Sequence, residues 1–429
     1  MRKLTLLLTL LLLCALPALA ETPALDESLV GEWTPALEVW YNGICYYKSV
    51  EVERCVITED GQLLFNYLGE APHTLVYNDA TGHWSVQDDE RLLYCDLYTD
   101  SYGHLIIDAF EHYVTLVLLP PDATPAALPP LGAGLSCAGT WELTSLFFPE
   151  GVAEGLPAFL VDPASLGIPP VTLTLGAFPD TEEIDQAFRD AVDLQAPGTP
   201  LDRMEIYFSI RFNADTLLLD TFSGMLLLTR TATPEVDEAI LPHAQQLANW
   251  WRLDAPTVGG VPLSPDAFDA EDFPLAIDEL GFARLGDAVH QLQLEGDTIL
   301  LNGVPLRYDG HNLCIEIADG VELRYITESD WYRAQLNGTW QLSGVEIPVM
   351  EFWEDDAADA QLIITADDTA VLRHSAGELR FTLQRTDDVL TYHLVDAAGD
   401  IRLLTIRSLN ALTITTDSEA YSLSFAPAE

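Results

Sequence analysis

Toward its C-terminus the chain alternates apolar and polar residues with a period of two. Runs at 361–365, 369–374, 379–384, 389–395, 400–407, 411–416 and 420–425 are rich in Leu, Ile, Val, Thr and Tyr. Ala-Asp-Asp, Ser-Ala-Gly, Thr-Asp-Asp, Ala-Ala-Gly and Thr-Asp-Ser separate them. Successive side chains of a strand point to opposite faces, so this period buries one face of each run, and the breaks carry residues that reverse a chain. The pattern predicts antiparallel hairpins. With a strand opened by Trp340 there are about eight, enough to close a small up-and-down barrel or fold into a sandwich. Closure also removes the exposed edges through which long β-chains aggregate.

The pattern repeats. Leu29-Val30-Gly31-Glu32-Trp33, Cys137-Ala138-Gly139-Thr140-Trp141, Leu247-Ala248-Asn249-Trp250-Trp251 and Leu336-Asn337-Gly338-Thr339-Trp340 are similar openings. A second marker follows the first and last of them: Thr58 in Val56-Ile57-Thr58-Glu59-Asp60-Gly61 and Thr365 in Ile363-Ile364-Thr365-Ala366-Asp367-Asp368 each lie 25 residues after their Trp (58 − 33 and 365 − 340). Ala276-Ile277-Asp278-Glu279-Leu280-Gly281 is a weaker third copy. Closing strands are expected at Tyr113–Leu118, Met225–Thr229, Val321–Tyr325 and Tyr421–Phe425, with turn-rich linkers after the first two. The expected domains are 21–127, 128–240, 241–332 and 333–429. The fold class is all-β: tandem small antiparallel up-and-down barrel or sandwich domains with a minor helical insertion.

Helix is expected chiefly at Asp180–Gln195. Asp180 and Glu183 have the spacing of a capping box, and Ile184, Phe188, Ala191 and Val192 fall on one face. It lies in a stretch from Pro149 to Pro200 that reads as an insertion in the second copy. A short second helix is expected between Pro234 and Leu247, broken near Pro242.

The first twenty residues read as a secretory signal. Arg2 and Lys3 precede an apolar run from Leu4 to Leu16, and Ala18-Leu19-Ala20 places cleavage before Glu21. The run is short for a membrane span. Lipidation at Cys14 is disfavoured by the bulky Leu13 before it. The expectation is export as a soluble protein, secreted or extracellular. The whole chain holds 68 Asp+Glu against 19 Lys+Arg, a net charge of −49, and its only lysines are Lys3 and Lys48. Without the signal the balance is 17 − 68 = −51. Such a surface repels phosphates, which argues against nucleic acid and anionic membranes as partners.

A Gly-x-Trp opening an antiparallel series of this length resembles the lipocalin-like (calycin-like) domains of secreted bacterial proteins. Gly31, Trp33, Gly139, Trp141, Gly338 and Trp340 carry the motif, and the third copy departs from it with Asn249-Trp250-Trp251. The resemblance implies that Trp33, Trp141, Trp251 and Trp340 seal a closed barrel end and are structural. It also implies a binding or scaffolding role, for a small apolar ligand where the interior is hollow. The small size of each copy points to interiors filled by their own side chains. A surface partner is then an extracellular protein or glycan.

Motifs that would carry chemistry are sparse. Cys45 and Cys55 flank an expected hairpin turning near Ser49–Glu51 and would face each other as a disulfide; buried thiols are the other reading, since five cysteines remain after Cys14 is removed. His104, Asp108 and His112 share one parity and would make a metal face on an unbroken strand. Glu351, Glu354, Asp355, Asp356 and Asp359 form an acidic run without the ligand spacing of a calcium loop. Gly134-Leu135-Ser136-Cys137-Ala138 resembles a nucleophile elbow as far as Ala138 and precedes a strand rather than a helix. Tyr41, Tyr46, Tyr47, Tyr94, Tyr98 and Tyr102 make the first copy aromatic, through packing or as a recognition strip. No catalytic residue, cofactor or metal is assigned. The alternatives are an extracellular hydrolase with its site in the second copy and a calcium-dependent surface protein.

Overall fold

The computed structural model describes residues 24–428 apart from 41–42, 47–54, 69–70, 89–92, 110–112, 130, 133–135, 151–154, 205, 222–223, 264–272, 347–359, 375–376, 387 and 417–421. The signal segment with Cys14, Tyr41, Tyr47, His112 and the acidic run 351–359 thus lie outside the described residues. Four antiparallel sheets follow one another along the chain. They fall into two compact units, one up to Pro234 and one from Glu235 onward, Ser136 belonging with the second.

The repeat is exact at the level of backbone pairing. Each sheet opens with a long strand that carries the Trp: Gly31–Trp40, Gly139–Phe148, Asn249–Val258 and Gly338–Glu346. The residue two before each Trp lies opposite the last residue of the neighbouring inner strand, as Gly31↔Ile57, Gly139↔Leu175, Asn249↔Ile277 and Gly338↔Ile364. On the other side the register slips at the same place in all four copies: Pro35/Leu37, Leu143/Ser145, Leu253/Ala255 and Leu342/Gly344. A bulge there bends the strand and increases its twist, which a small curved sheet requires.

Every one of these Trp side chains is buried, and its indole N–H donates to the carbonyl four residues earlier. The distances are 3.0 Å to Leu29, 2.8 Å to Cys137, 2.9 Å to Leu247 and 3.0 Å to Leu336. In three copies that carbonyl terminates a short helix: Glu27–Leu29, Leu241–Leu247, and Glu328–Gln335 followed by Leu336. The last carbonyls of a helix find no partner within it, so the indole both fills the core and satisfies the helix end. Gly31, Gly139 and Gly338 sit at φ +149°, +140° and +145°, where a Cβ is strained, and at Gly139 a Cβ would meet the Ala232 carbonyl. Asn249 keeps the register of the third copy without that backbone conformation.

The fourth sheet is a closed eight-stranded barrel from Gly338–Glu346 to Ser422–Pro427. The first and third sheets follow a variant of the same path. Their end strands are consecutive in sequence, His73–Thr74 and Val76–Asn78 in the first, Ala288–Gln291 and Gln293–Glu295 in the third. A single buried Leu interrupts each pair, and its N–H reaches back to a turn: Leu75 to the Gly61 carbonyl (2.8 Å), Leu292 to the Gly281 carbonyl (2.7 Å). In the fourth barrel Leu383 donates to Asp368 in the same way at 2.8 Å. The barrels are packed inside. The fourth holds Trp340, Leu362, Ile364, Phe381, Leu383, Tyr392, Leu394, Leu404, Leu412, Ile414 and Phe425 in one cluster, and the first and third have equivalent cores.

The second copy is the exception, and its helix lies within the stretch read as an insertion. Its opening strand pairs with Phe159–Val161, Thr172–Leu175 and Gly224–Ala232, and the sheet continues through Thr216–Thr221 to Ile206–Phe212. Helix Thr181–Gln195 packs between Thr172–Leu175 and Ile206–Phe212, where the other copies have their middle strands. Ile184, Phe188, Ala191 and Val192 are its buried face, and the capping box forms: Glu183 N–H donates to Asp180 Oδ1 (2.8 Å) and Asp180 N–H to Glu183 Oε2 (3.0 Å).

The first and second copies share a core. Strand Val114–Leu119 is buried throughout; Val114, Leu116 and Leu118 face the first barrel, while Val117 and Leu119 join Trp141, Phe148 and Phe159 of the second copy. In the second unit helix Glu328–Gln335 ties the third barrel to the fourth. Arg252 of the third barrel donates to Glu328 Oε1 (2.6 Å). From the fourth, Arg385 donates to Asp330 (2.7 Å), and the buried Arg333 of the helix donates to Asp368 (2.8 Å) and the Thr365 carbonyl (2.7 Å).

Candidate functional site

A group of linked polar side chains lies where the first barrel meets the second copy. It is built on the turn Asp100-Ser101-Tyr102-Gly103-His104. Asp100 Oδ1 accepts the N–H of Tyr102 (2.9 Å) and of His104 (2.8 Å), and Gly103 takes the φ of +80° that the turn needs. The same carboxylate orients the imidazole, with Asp100 Oδ2 3.1 Å from His104 Nδ1, the carboxylate fully buried. The imidazole stands edge-on to Phe159 of the second copy, ring centroids 6.2 Å apart. Tyr102 Oη lies 2.5 Å from the buried Ser145 Oγ, Tyr98 donates to the Ser165 carbonyl (2.9 Å), and Ser101 donates to Asp162 Oδ2 (2.8 Å). Burial pushes the Tyr98 phenol well above its usual range, and Asp108, Asp96, Asp100 and Asp162 push it the same way.

The parts of an acid–base relay are present but are not joined as one. A nucleophile must bond to its base, which in turn is held by a third group. Here the serine hydroxyl is engaged by Tyr102 while the imidazole is engaged by Asp100. Every one of the hydroxyl contacts just described joins the first barrel to the second copy. The arrangement therefore fixes one lobe on the other.

The sequence-derived candidates are placed as follows. His104 ends the turn before strand Leu105–Ala109, and Asp108 lies within that strand, opposite Asp96 and Thr115. No group of three or more His, Cys, Asp or Glu among the described residues could hold a metal ion. Cys45 and Cys55 do not face each other. Their strands, Gly43–Tyr46 and Cys55–Ile57, both pair with the opening strand, at Glu38↔Cys45 and Trp33↔Cys55. Five strand positions span roughly 16 Å, far beyond disulfide reach. Cys55 is a buried free thiol, which burial pushes up to about 12. Cys137 lends its carbonyl to Trp141 and Ala138 leads directly into strand Gly139–Phe148, while Gly134 and Leu135 lie outside the described residues. Asp100 and Ser145 are not singled out by the sequence, and Tyr102 is singled out only as one of the first copy's tyrosines; the Asp-x-x-Gly turn at 100–103 is the available signal.

In the second unit an open, mainly polar cleft of about 400 Å³ is lined by Glu235, Val236, Asp237 and Gln291–Leu294. No described helix is long and apolar enough to cross a membrane.

No family model matches the chain, and no curated protein matches it. Among solved structures it is similar to a double mutant of transferrin binding protein B from Haemophilus parasuis Hp5. That match has 8% identity and a TM-score of 0.21, covering 96% of this chain and 98% of the other. It is also similar to BamB from Moraxella catarrhalis, with 10% identity, a TM-score of 0.11, and 95% and 98% coverage.

Proposed function

We propose that the chain is an exported, non-catalytic binding or scaffolding protein that recognises its partner through the outer surfaces of lipocalin-like β-domains. The observation that carries this reading is the packing of the barrels. Large side chains such as Trp340, Phe381, Tyr392 and Phe425 in the fourth, and Trp251 and Tyr325 in the third, occupy the space that a hollow barrel would offer a ligand. The repeated Gly-x-Trp opening, with its indole bond to a helix end, supports the lipocalin-like relation. The lobe-joining hydrogen bonds of the first unit support a rigid scaffold.

Titration of the mature chain with a fluorescent fatty acid tests the reading. No saturable stoichiometric binding is expected. Stoichiometric binding that quenches the buried tryptophans would overturn it, as would hydrolysis of ester or glycoside substrates that is lost in Ser145→Ala or His104→Gln.

A further inference from the structure

The third barrel carries an exposed apolar surface at the end of its opening strand. Its opening strand, Asn249–Val258, turns at Gly259-Gly260 into Val261–Pro262, with Val258 directly opposite Val261. Val258 is also opposite Val321 of the closing strand, Val321 is opposite Ala318, and Gly259 N–H donates to the Gly320 carbonyl at 2.6 Å. The two hairpin ends thus form one continuous rim. Directly opposed residues share a face, so Val258, Val261 and Val321 lie together. Val258 is 49% exposed, Val261 66%, Ile317 beside Ala318 49%, and Leu263, bonded to the Pro256 carbonyl, 38%. In the first barrel the equivalent hairpin strand, Gly43–Tyr46, lies against the turn Pro200–Arg203 of the second copy. The equivalent strand thus has a described neighbour in the first barrel, while Val258 and Val261 of the third are exposed.

Charge specifies what would cover it. Around the rim Arg307 pairs with Glu322 and Arg324 with Asp254. Glu316 and Asp319 remain as exposed carboxylates without a cationic partner among the described residues, and Glu316 accepts the Gly320 N–H. A chain of net charge −49 repels its own copies. We infer that this rim docks a basic, apolar-centred segment of another exported protein, with Val258 and Val261 as the buried centre and Glu316 and Asp319 as the acidic border. This rests on the reading that recognition uses the outer surfaces of the barrels.

The test uses a labelled peptide of alternating Leu and Lys, with its Leu/Glu counterpart as control, titrated into the full mature chain. Only the basic peptide is expected to bind. Val258→Ser with Val261→Ser should weaken it roughly tenfold, as for loss of a desolvated centre. Glu316→Gln with Asp319→Asn should flatten its salt dependence. Both pairs are solvent-exposed, and thermal melts matching the parent chain establish that the variants fold. Wild-type affinity in the valine variant would overturn the inference, leaving diffuse attraction to an acidic protein, although surface recognition would stand. A dimer in sedimentation that the valine variant abolishes would overturn it in favour of self-association. Lumen binding of the fatty acid would remove the underlying reading itself.

Discussion

Asp278 offers the sharpest test of how the third barrel is held. It occupies the turn position filled by Thr58 and Thr365 in the first and fourth copies. In each copy that residue's N–H donates four residues ahead, to the carbonyls of Gln62, Phe282 and Thr369, at 2.9, 2.9 and 3.0 Å. The side-chain oxygen also matches: Thr58 Oγ1 accepts from Gln62 N–H (3.0 Å) and Asp278 Oδ1 from Phe282 N–H (2.8 Å). The aspartate is fully buried. Burial pushes its carboxyl up to about 6, against the hydrogen bonds of Ser136, Phe282 and Leu280, which lower it. Below the unfolded value of 3.8 both states are protonated and the group contributes no pH dependence. Between 3.8 and about 6 the unfolded chain ionises while the folded one keeps its proton, so stability falls as pH rises. Above that window the full penalty is present, about 3 kcal/mol for a shift of this size. Asp278→Asn keeps the Oδ1 acceptor and removes the ionisation. Urea unfolding of both proteins from about pH 4 to about pH 8 should show the variant gaining on the parent by about 3 kcal/mol across the window. Whatever constant cost the new amide adds does not affect that difference. A gap between the two that is the same at every pH would refute the reasoning.

The indole bonds make a matched series. Trp340→Phe strips the donor from the Leu336 carbonyl and leaves a smaller ring, so it should destabilise the second unit by about 1–3 kcal/mol in denaturant melts. Cys55 is buried and held as a thiol, so it should resist iodoacetamide in the native protein and react after unfolding; a Cys45–Cys55 peptide in a non-reducing digest would contradict the strand pairing. Tyr102→Phe and Ser145→Ala should each cost about 1 kcal/mol. Combined, they should cost less than their sum, because both remove the same contact. Asp368 adopts a φ of +59° and partners Arg333; Asp368→Asn tolerates that backbone but weakens the ion pair, and a loss of about 1 kcal/mol is expected in a melt, since the carboxylate is largely exposed.

What the sequence disclosed depended on whether a residue's role was local. The capping box at Asp180 and Glu183 involves residues three apart, and the buried face of its helix follows from the helical period alone. Both were legible. The run Val114-Thr115-Leu116-Val117-Leu118-Leu119 has no alternation to read, because one face fills the first barrel and the other fills the second copy. Cys45 and Cys55 looked like hairpin partners because they are near in sequence. Their neighbours were chosen instead by an opening strand long enough to pair with both segments. Asp278 shows the same limit from the other side. Its motif matches the threonine copies poorly letter by letter, yet the turn needs only a side-chain oxygen aimed at an N–H four residues on. Aspartate supplies that oxygen as well as threonine does, and the difference between them appears only on burial, when one of the two can ionise. The turn is thus conserved as geometry across the copies while its electrostatics diverge, which is why the third barrel alone should carry this pH dependence.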